Sequence, residues 1–383
     1  MGVNIAAQGE AQRLRELDSL RGLAAFSVVI HHLVLLGIGN HLAGSPALLQ
    51  TGLMLLLQPV AAGSEAVILF FVLSGLVLSV PAIEGRPQPY RVFIVRRIFR
   101  IYLPFLAAIL IAIAGNACFY GSITSSVWFH QFWTVPVKLP AVVEHLLFLG
   151  AYNTDRFDPP IWSLVHEMRI SMVFPLLCGA VMAVKSGRAV AVSLAASIGS
   201  CLLEGMFPPA YSYLSTLRYA VFFVVGICIY REKNRIRDFY CKMPAMRKKL
   251  LLLAALLLYL YAGKILSIDT APSSPTRIVS LLFGDWFVAA GAAAIIVAAI
   301  HSNTLRRMLL QRWIVWLGEM SYSLYLTHFI VLLLMVHMLY GRVPLTLLLA
   351  LYLPASFVLS RMFYVAVERP SMNLGRRLCH RMG

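Results

Sequence analysis

The feature that most constrains this chain is a succession of apolar runs about twenty residues long, each able to cross a hydrocarbon layer as a helix. In lipid every backbone N–H and C=O needs a partner within the protein, so a spanning segment is either a helix or part of a closed barrel. Continuous apolarity, without strand-like alternation, selects the helix. With 60% of its 383 residues hydrophobic and 13% charged, the chain is too apolar for a soluble domain. Ten spans are expected at approximately 23–39, 66–82, 98–120, 161–184, 189–207, 214–230, 249–266, 283–300, 314–340 and 344–367. The expected fold class is therefore all-α, a polytopic membrane helical bundle of about ten transmembrane helices.

Lys and Arg are spread unevenly around these spans. The termini and the loops on their side hold 25 of them, against 5 in the opposite loops. Because such an excess marks cytoplasmic loops, both termini are expected in the cytoplasm. The expected organisation is a cytoplasmic tail at 1–22, a transmembrane domain at 23–367 and a second cytoplasmic tail at 368–383. Topology thus accounts for most of the +17 formal charge, and no nucleic-acid partner is expected. Glu10, Glu16 and Asp18 interrupt the basic leader and no small-residue cleavage site follows, so the first apolar segment is expected to stay as a helix. The six cysteines show no CxxC spacing and are expected to pack as small apolar residues, with no metal site and no disulfide framework. The loop at about 121–160 carries Trp128, His130 and Trp133; it is expected to be interfacial or re-entrant, with its aromatics at headgroup level.

Several ionisable groups fall where the membrane should be. In "LDSLRGLAAFSVVIHH", Arg21 and His32 stand eleven positions apart, which at about 100° per residue puts them on nearly the same helix face, roughly 16 Å apart along the axis. His31 points elsewhere. The span "IWSLVHEMRISMVFPLL" carries His166, Glu167 and Arg169 within one turn and aligns Ser163, Glu167 and Ser171 at i, i+4. A charge at the bilayer centre costs roughly 2.5–3.5 kcal/mol on insertion scales, so these groups need partners or a polar cavity. Buried pairs that fix helix packing and a functional site both satisfy that demand. A histidine can take a proton from a hydroxyl, and a carboxylate can orient its ring; His32 and Glu167 suit those roles if their spans meet. Arg96, Arg97 and Arg100 form a guanidinium cluster at a helix entrance, a geometry that suits phosphate and equally satisfies the positive-inside rule. The Tyr322, Tyr325, His328 stripe either lines a pore or packs with satisfied hydroxyls. Pro104 and Pro175 are expected at kinks or helix starts, and Glu368 with Arg369 at a membrane-boundary polar contact.

Taken in order, these segments resemble the acyltransferase 3 family of integral membrane acyltransferases, found largely in bacteria. "LDSLRGLAAFSVVIHH" is similar to its first-helix signature, with Arg21 and His32 at the arginine, ten residues, histidine spacing. "FFVLSG", "RRIFRIYLPF", "WSLVHEMRISMVFPLL", "LGEMSYSLYLTH" and "VERP" resemble its later motifs, so the likeness runs through most of the chain. The chain departs from the family in the fourth span, where His166 stands before Glu167 and Met168 and Arg169 follow it.

The resemblance implies transfer of an acyl group, commonly acetyl from acetyl-CoA, to a hydroxyl of a cell-surface glycan, a lipid-linked sugar such as a lipopolysaccharide precursor, or a small molecule. It implies that His32 is catalytic, assisted by Arg21 and with Glu167 as a further candidate, and that Arg97 and Arg100, beside Arg96, hold donor phosphates. Ser163, His166, Arg169, Tyr325 and His328 are the candidates for substrate binding. Acyl-CoA is expected as a co-substrate, with no tightly bound cofactor, and the setting is expected to be the bacterial inner membrane. A transporter or flippase is the competing expectation, since intramembrane His, Glu and Arg also line proton and substrate paths. No pair of broken half-helices at matching positions supports it.

Overall fold

The structure is a computed structural model that describes residues 5–42, 45–121, 129–207, 210–266 and 275–382. Among the described residues the secondary structure is almost entirely helical, with no strands and one isolated bridge between Tyr340 and Val343. In chain order the helices are α1 (Ile5–His41), α2 (Ala47–Leu57), α3 (Gly63–Ile83), α4 (Tyr90–Arg97), α5 (Leu103–Phe119), α6 (Leu139–Leu147), α7 (Trp162–Ala183), α8 (Ser186–Met206) and α9 (Tyr211–Arg231). There follow α10 (Lys233–Lys242), α11 (Ala245–Leu266), α12 (Pro275–His301), α13 (Asn303–Leu309), α14 (Arg312–Glu319), α15 (Ser321–Leu339), α16 (Leu345–Phe363) and α17 (Arg369–Met382). Prolines stand just before α2, α4 and α16 and open α12, where a missing N–H costs nothing.

Nine helices among the described residues are long and apolar enough to cross a membrane, so the protein is a multi-pass helical membrane bundle. Nine of the ten expected spans fall on them. The tenth, 249–266, falls on α11, whose apolar stretch Leu250–Gly263 is bounded by Lys249 and Lys264. The stretches expected as tails are helical continuations: α1 begins at Ile5, and the last span runs on to Met382.

The chain gathers into two compact units. The first comprises Met1–Ala24, Ser64–Gln88 and Val173–Glu319. Its helices approach so closely that only glycine fits between them. A Cβ on Gly22 of α1 would lie 2.5 Å from the Gly318 backbone of α14, and one on Gly75 of α3 would lie 2.1 Å from the Phe223 carbonyl of α9. Gly226 repeats that contact from the other side, 2.1 Å from the Val72 carbonyl. Where lipid tails are as apolar as the side chains, such close packing is what holds helices together. Ion pairs stitch the same unit, Glu16 with Arg306, Glu65 with Lys264 and Glu204 with Arg218.

The second unit comprises Ala25–Gly63, Pro89–Met172 and Met320–Gly383. Its distinctive feature is a pair of π-helical turns, Ile98–Tyr102 between α4 and α5 and Tyr364–Glu368 between α16 and α17. Each is followed by one residue and then a proline, Pro104 and Pro370. A proline inside a helix removes one i→i−4 bond and crowds the carbonyl four residues back, and the wider π turn relieves that conflict. Hydroxyls take carbonyls of the first turn: Ser371 donates to Phe99 and Tyr322 to Ile101.

The loop before α7 also belongs to the second unit, and its aromatics differ from the expectation. Trp133 is buried in protein and not open to lipid headgroups. It is 1% exposed and donates its indole N–H to the Phe157 carbonyl. Phe129 and Phe132 are equally buried and pack against Phe329 of α15. The indole thus satisfies its donor inside the bundle. Trp128 and the His130 side chain lie outside the described residues. Of the cysteines, four are buried as expected, whereas Cys118 and Cys241 are exposed.

Candidate functional site

The second unit places a histidine pair at its centre. α1 carries His32 and α15 carries His328, and His328 Nε2 stands 3.1 Å from His32 Nδ1. The partners of these rings fix their tautomers. His328 Nδ1 lies 3.0 and 2.7 Å from the carbonyls of Leu324 and Tyr325, which only accept, so Nδ1 carries a proton. In the neutral ring Nε2 then accepts. Its neighbour, His32 Nδ1, is also 3.0 Å from the Val28 carbonyl, so it must be the donor to both. His32 is therefore the Nδ1–H tautomer, and its basic lone pair is on Nε2. His328 is fully buried, while His32 is partly exposed. Phe329 stands edge-on to the His32 ring at 4.9 Å, and His31, which faces the Ala61 carbonyl, flanks it at 5.5 Å.

Glu167 is engaged by Arg97. The Arg97 guanidinium reaches Glu167 at 2.9 Å and the Ser171 hydroxyl at 3.1 Å, and the two charged side chains are 11% and 17% exposed. The i, i+4 line of α7 thus serves as a docking strip for one arginine. Arg97 does not stand open to solvent as a phosphate ligand would. Arg96, next to it, is exposed.

Arg100 pairs at 2.8 Å with Glu368, which is fully buried. The other oxygen of that carboxylate accepts from the backbone N–H and hydroxyl of Ser323, in the first turn of α15. There it meets unsatisfied N–H groups and the positive end of the helix dipole. Both partners of this ion pair lie in π turns. The contact expected between Glu368 and Arg369 is replaced by this one, because the π turn carries Glu368 toward α15. Arg100 also lies 5.8 Å over the Tyr322 ring and stays about a third exposed.

Ser163 and Tyr325 share a hydrogen bond of 2.8 Å, and the Tyr325 hydroxyl donates to the Pro160 carbonyl at 2.9 Å. With Tyr322 bound to Ile101, the tyrosine stripe packs with satisfied hydroxyls. His166 is buried edge-on against Trp162, and Arg169 donates to the carbonyls of Leu149 and Gly150, tying the preceding loop to α7. Arg21 lies in the first unit, 3.4 Å from Asp18 on the same helix.

Sequence reasoning singled out His32 and His328 separately, without their pairing, and did not single out Asp158. That carboxyl is 1% exposed, directly before the Pro159–Ile161 turn held by Tyr325, and neither oxygen has a hydrogen-bond partner among the described residues. Burial pushes it well above the usual carboxylate range, toward the neutral acid. An aspartate ahead of two prolines gives no periodic signal that would have marked it.

A family described as an acyltransferase domain matches residues 14–365, nearly the whole chain. No curated protein and no solved structure matches.

Proposed function

Because the chain belongs to the acyltransferase 3 family and is a membrane acyltransferase, we propose that it moves an acyl group, acetyl in the first instance, from acyl-CoA to a hydroxyl of a cell-surface or lipid-linked carbohydrate. The observation that carries this reading is the His32–His328 pair. An imidazole whose Nδ1–H is already donated has its basic nitrogen, Nε2, in the form a general base needs. His32 Nε2 takes the proton of the acceptor hydroxyl as its oxygen attacks the thioester carbonyl. The C–O bond forms, the C–S bond breaks, and the departing thiolate takes the proton from the His32 imidazolium.

His328 accepts from Nδ1–H throughout and stabilises the transient cation without being protonated itself, a positioning role. The donor phosphates fall to Arg96 and to the exposed part of Arg100. Arg97 and Glu167 hold α4 and α7 together behind them. Arg21 supports α1 at its basic end. The transporter reading draws no support from the family match.

Two measurements on membranes containing the protein test the proposal. CoA release from acetyl-CoA is expected to fall by about 10²–10⁴ in His32→Gln with insertion unchanged. Mass analysis of surface glycans and lipid-linked precursors, from cells with and without the gene, is expected to show an acyl group missing from one species. Full CoA release by a well-inserted His32→Gln protein would remove His32 from the chemistry.

A further inference from the structure

The first unit encloses a cavity of about 130 Å³ that the acyl-transfer reading does not use. It opens where three spans end. Leu17 is at the start of one, Ile229 and Tyr230 are at the end of a second, and Val297, Ile300 and His301 are at the end of a third. That is the depth at which a bilayer passes from hydrocarbon to headgroup.

The walls and the rim differ in kind. Leu76, Ile229, Val297 and Ile300 make the walls apolar, while Lys233, Asn234 and Arg237 of α10, with His301, make the rim polar and basic. Glu84 neutralises Lys233 and accepts the Tyr230 hydroxyl at 2.8 Å, which leaves Arg237 as the cation of the rim whose only ion-pair partner among the described residues is an exposed one, Asp238. The Arg237 pair with Asp238 leaves both side chains more than half exposed and offers little competition. α10 is itself a basic amphipathic helix that turns Ile236 into the cavity and leaves Phe239 70% exposed, the composition of a helix that lies in a membrane interface.

We infer that this cavity is a binding site for an anionic phospholipid, with an acyl-chain segment between the apolar walls and the headgroup phosphate on Arg237 and Asn234. A soluble anion would leave the apolar walls unfilled, and in a zwitterionic lipid the headgroup's own ammonium offsets the phosphate charge that Arg237 would otherwise meet. The volume fits part of one chain, and the remainder lies along the outer surface with the surrounding lipid.

The test uses the full-length protein, purified and delipidated, then returned to nanodiscs of phosphatidylcholine with or without phosphatidylglycerol. Native mass spectrometry counts the retained lipids. One cation near a membrane surface is worth about a five-fold preference, so phosphatidylglycerol is expected to be retained about five times as well as phosphatidylcholine. Arg237→Ala and Asn234→Asp, both at exposed positions, are expected to bring the two lipids near parity. Equal retention in the wild type overturns the inference, as does a preference that survives both substitutions. Displacement of phosphatidylglycerol by millimolar inorganic phosphate would make this a soluble-anion site and also overturn it.

Discussion

At the scale of single residues, the argument rests on which atoms carry protons. If His328 acts only by accepting from His32 Nδ1–H, then His328→Leu should lower kcat by about 10²-fold with the donor KM unchanged, because Val28 still holds Nδ1. His328→Gln, whose side-chain carbonyl can accept the same proton, should recover most of the loss. Equal damage from both would mean that the ring is needed for packing. A second histidine gives a pH test outside the spans. His145 is fully buried against Tyr152 and Phe157 with its Nδ1 on the Ala141 carbonyl, and burial lowers its pKa. The folded state therefore prefers the neutral ring. This contribution is complete above the unfolded pKa of about 6.5 and is lost as pH falls below it toward the folded value. Melting in detergent should weaken between pH 7 and 5.5 more in the wild type than in His145→Asn, and parallel curves would refute the assignment. The types of these residues were legible in the sequence and their pairing was not. Spacing along one helix fixes a face, but the 3.1 Å contact depends on how α1 and α15 meet.

At the scale of helices, two kinds of contact decide how close the elements come. Gly22, Gly75 and Gly318 each lie in a segment with a family resemblance, and each meets backbone where a methyl group would go. Gly75→Ala places Cβ 2.1 Å from a carbonyl oxygen that cannot rotate away, so α3 and α9 must separate. A loss of about 1–3 kcal/mol is expected, read as a lower detergent melting temperature, whereas Gly179→Ala, with open space around it, should be neutral. The Arg97–Glu167 pair gives the complementary case. Removing one partner leaves a desolvated charge, and Glu167→Gln or Arg97→Met should each cost about 3–5 kcal/mol. The double variant Arg97→Met with Glu167→Leu should regain most of it. A donor KM that rises in Arg97→Met but stability that does not fall would return Arg97 to phosphate binding. Here the sequence was half legible: the i, i+4 line on α7 was visible, and its partner was not. The π turns have a local cause in Pro104 and Pro370, yet their consequence, the Arg100–Glu368 pair, joins residues 268 positions apart.

For the whole molecule, the apolar runs were enough to fix the class. Chain length sets how many spans fit, and lipid forbids any unpaired backbone, so a helical bundle follows without knowledge of a single contact. Orientation follows from a weaker force, the bias of Lys and Arg toward the cytoplasm, and it is open to direct test. Cys241 is exposed at the end of α10, within the basic connection between α9 and α11. Tyr120, 52% exposed just beyond α5, should face the other way. A variant retaining Cys241 as its sole cysteine should resist a membrane-impermeant thiol reagent in intact cells and react once they are permeabilised. Tyr120→Cys in a cysteine-free background should react without permeabilisation. The outcome bears on the chemistry, because acyl-CoA is too highly charged to cross the hydrocarbon layer. An acyl-CoA donor would have to enter from the cytoplasmic face, and the proposal needs Arg96 and Arg100 to lie on that face. Labelling of Cys241 from outside would place the arginine cluster where no acyl-CoA is available, and the acyl-transfer mechanism would lose its donor.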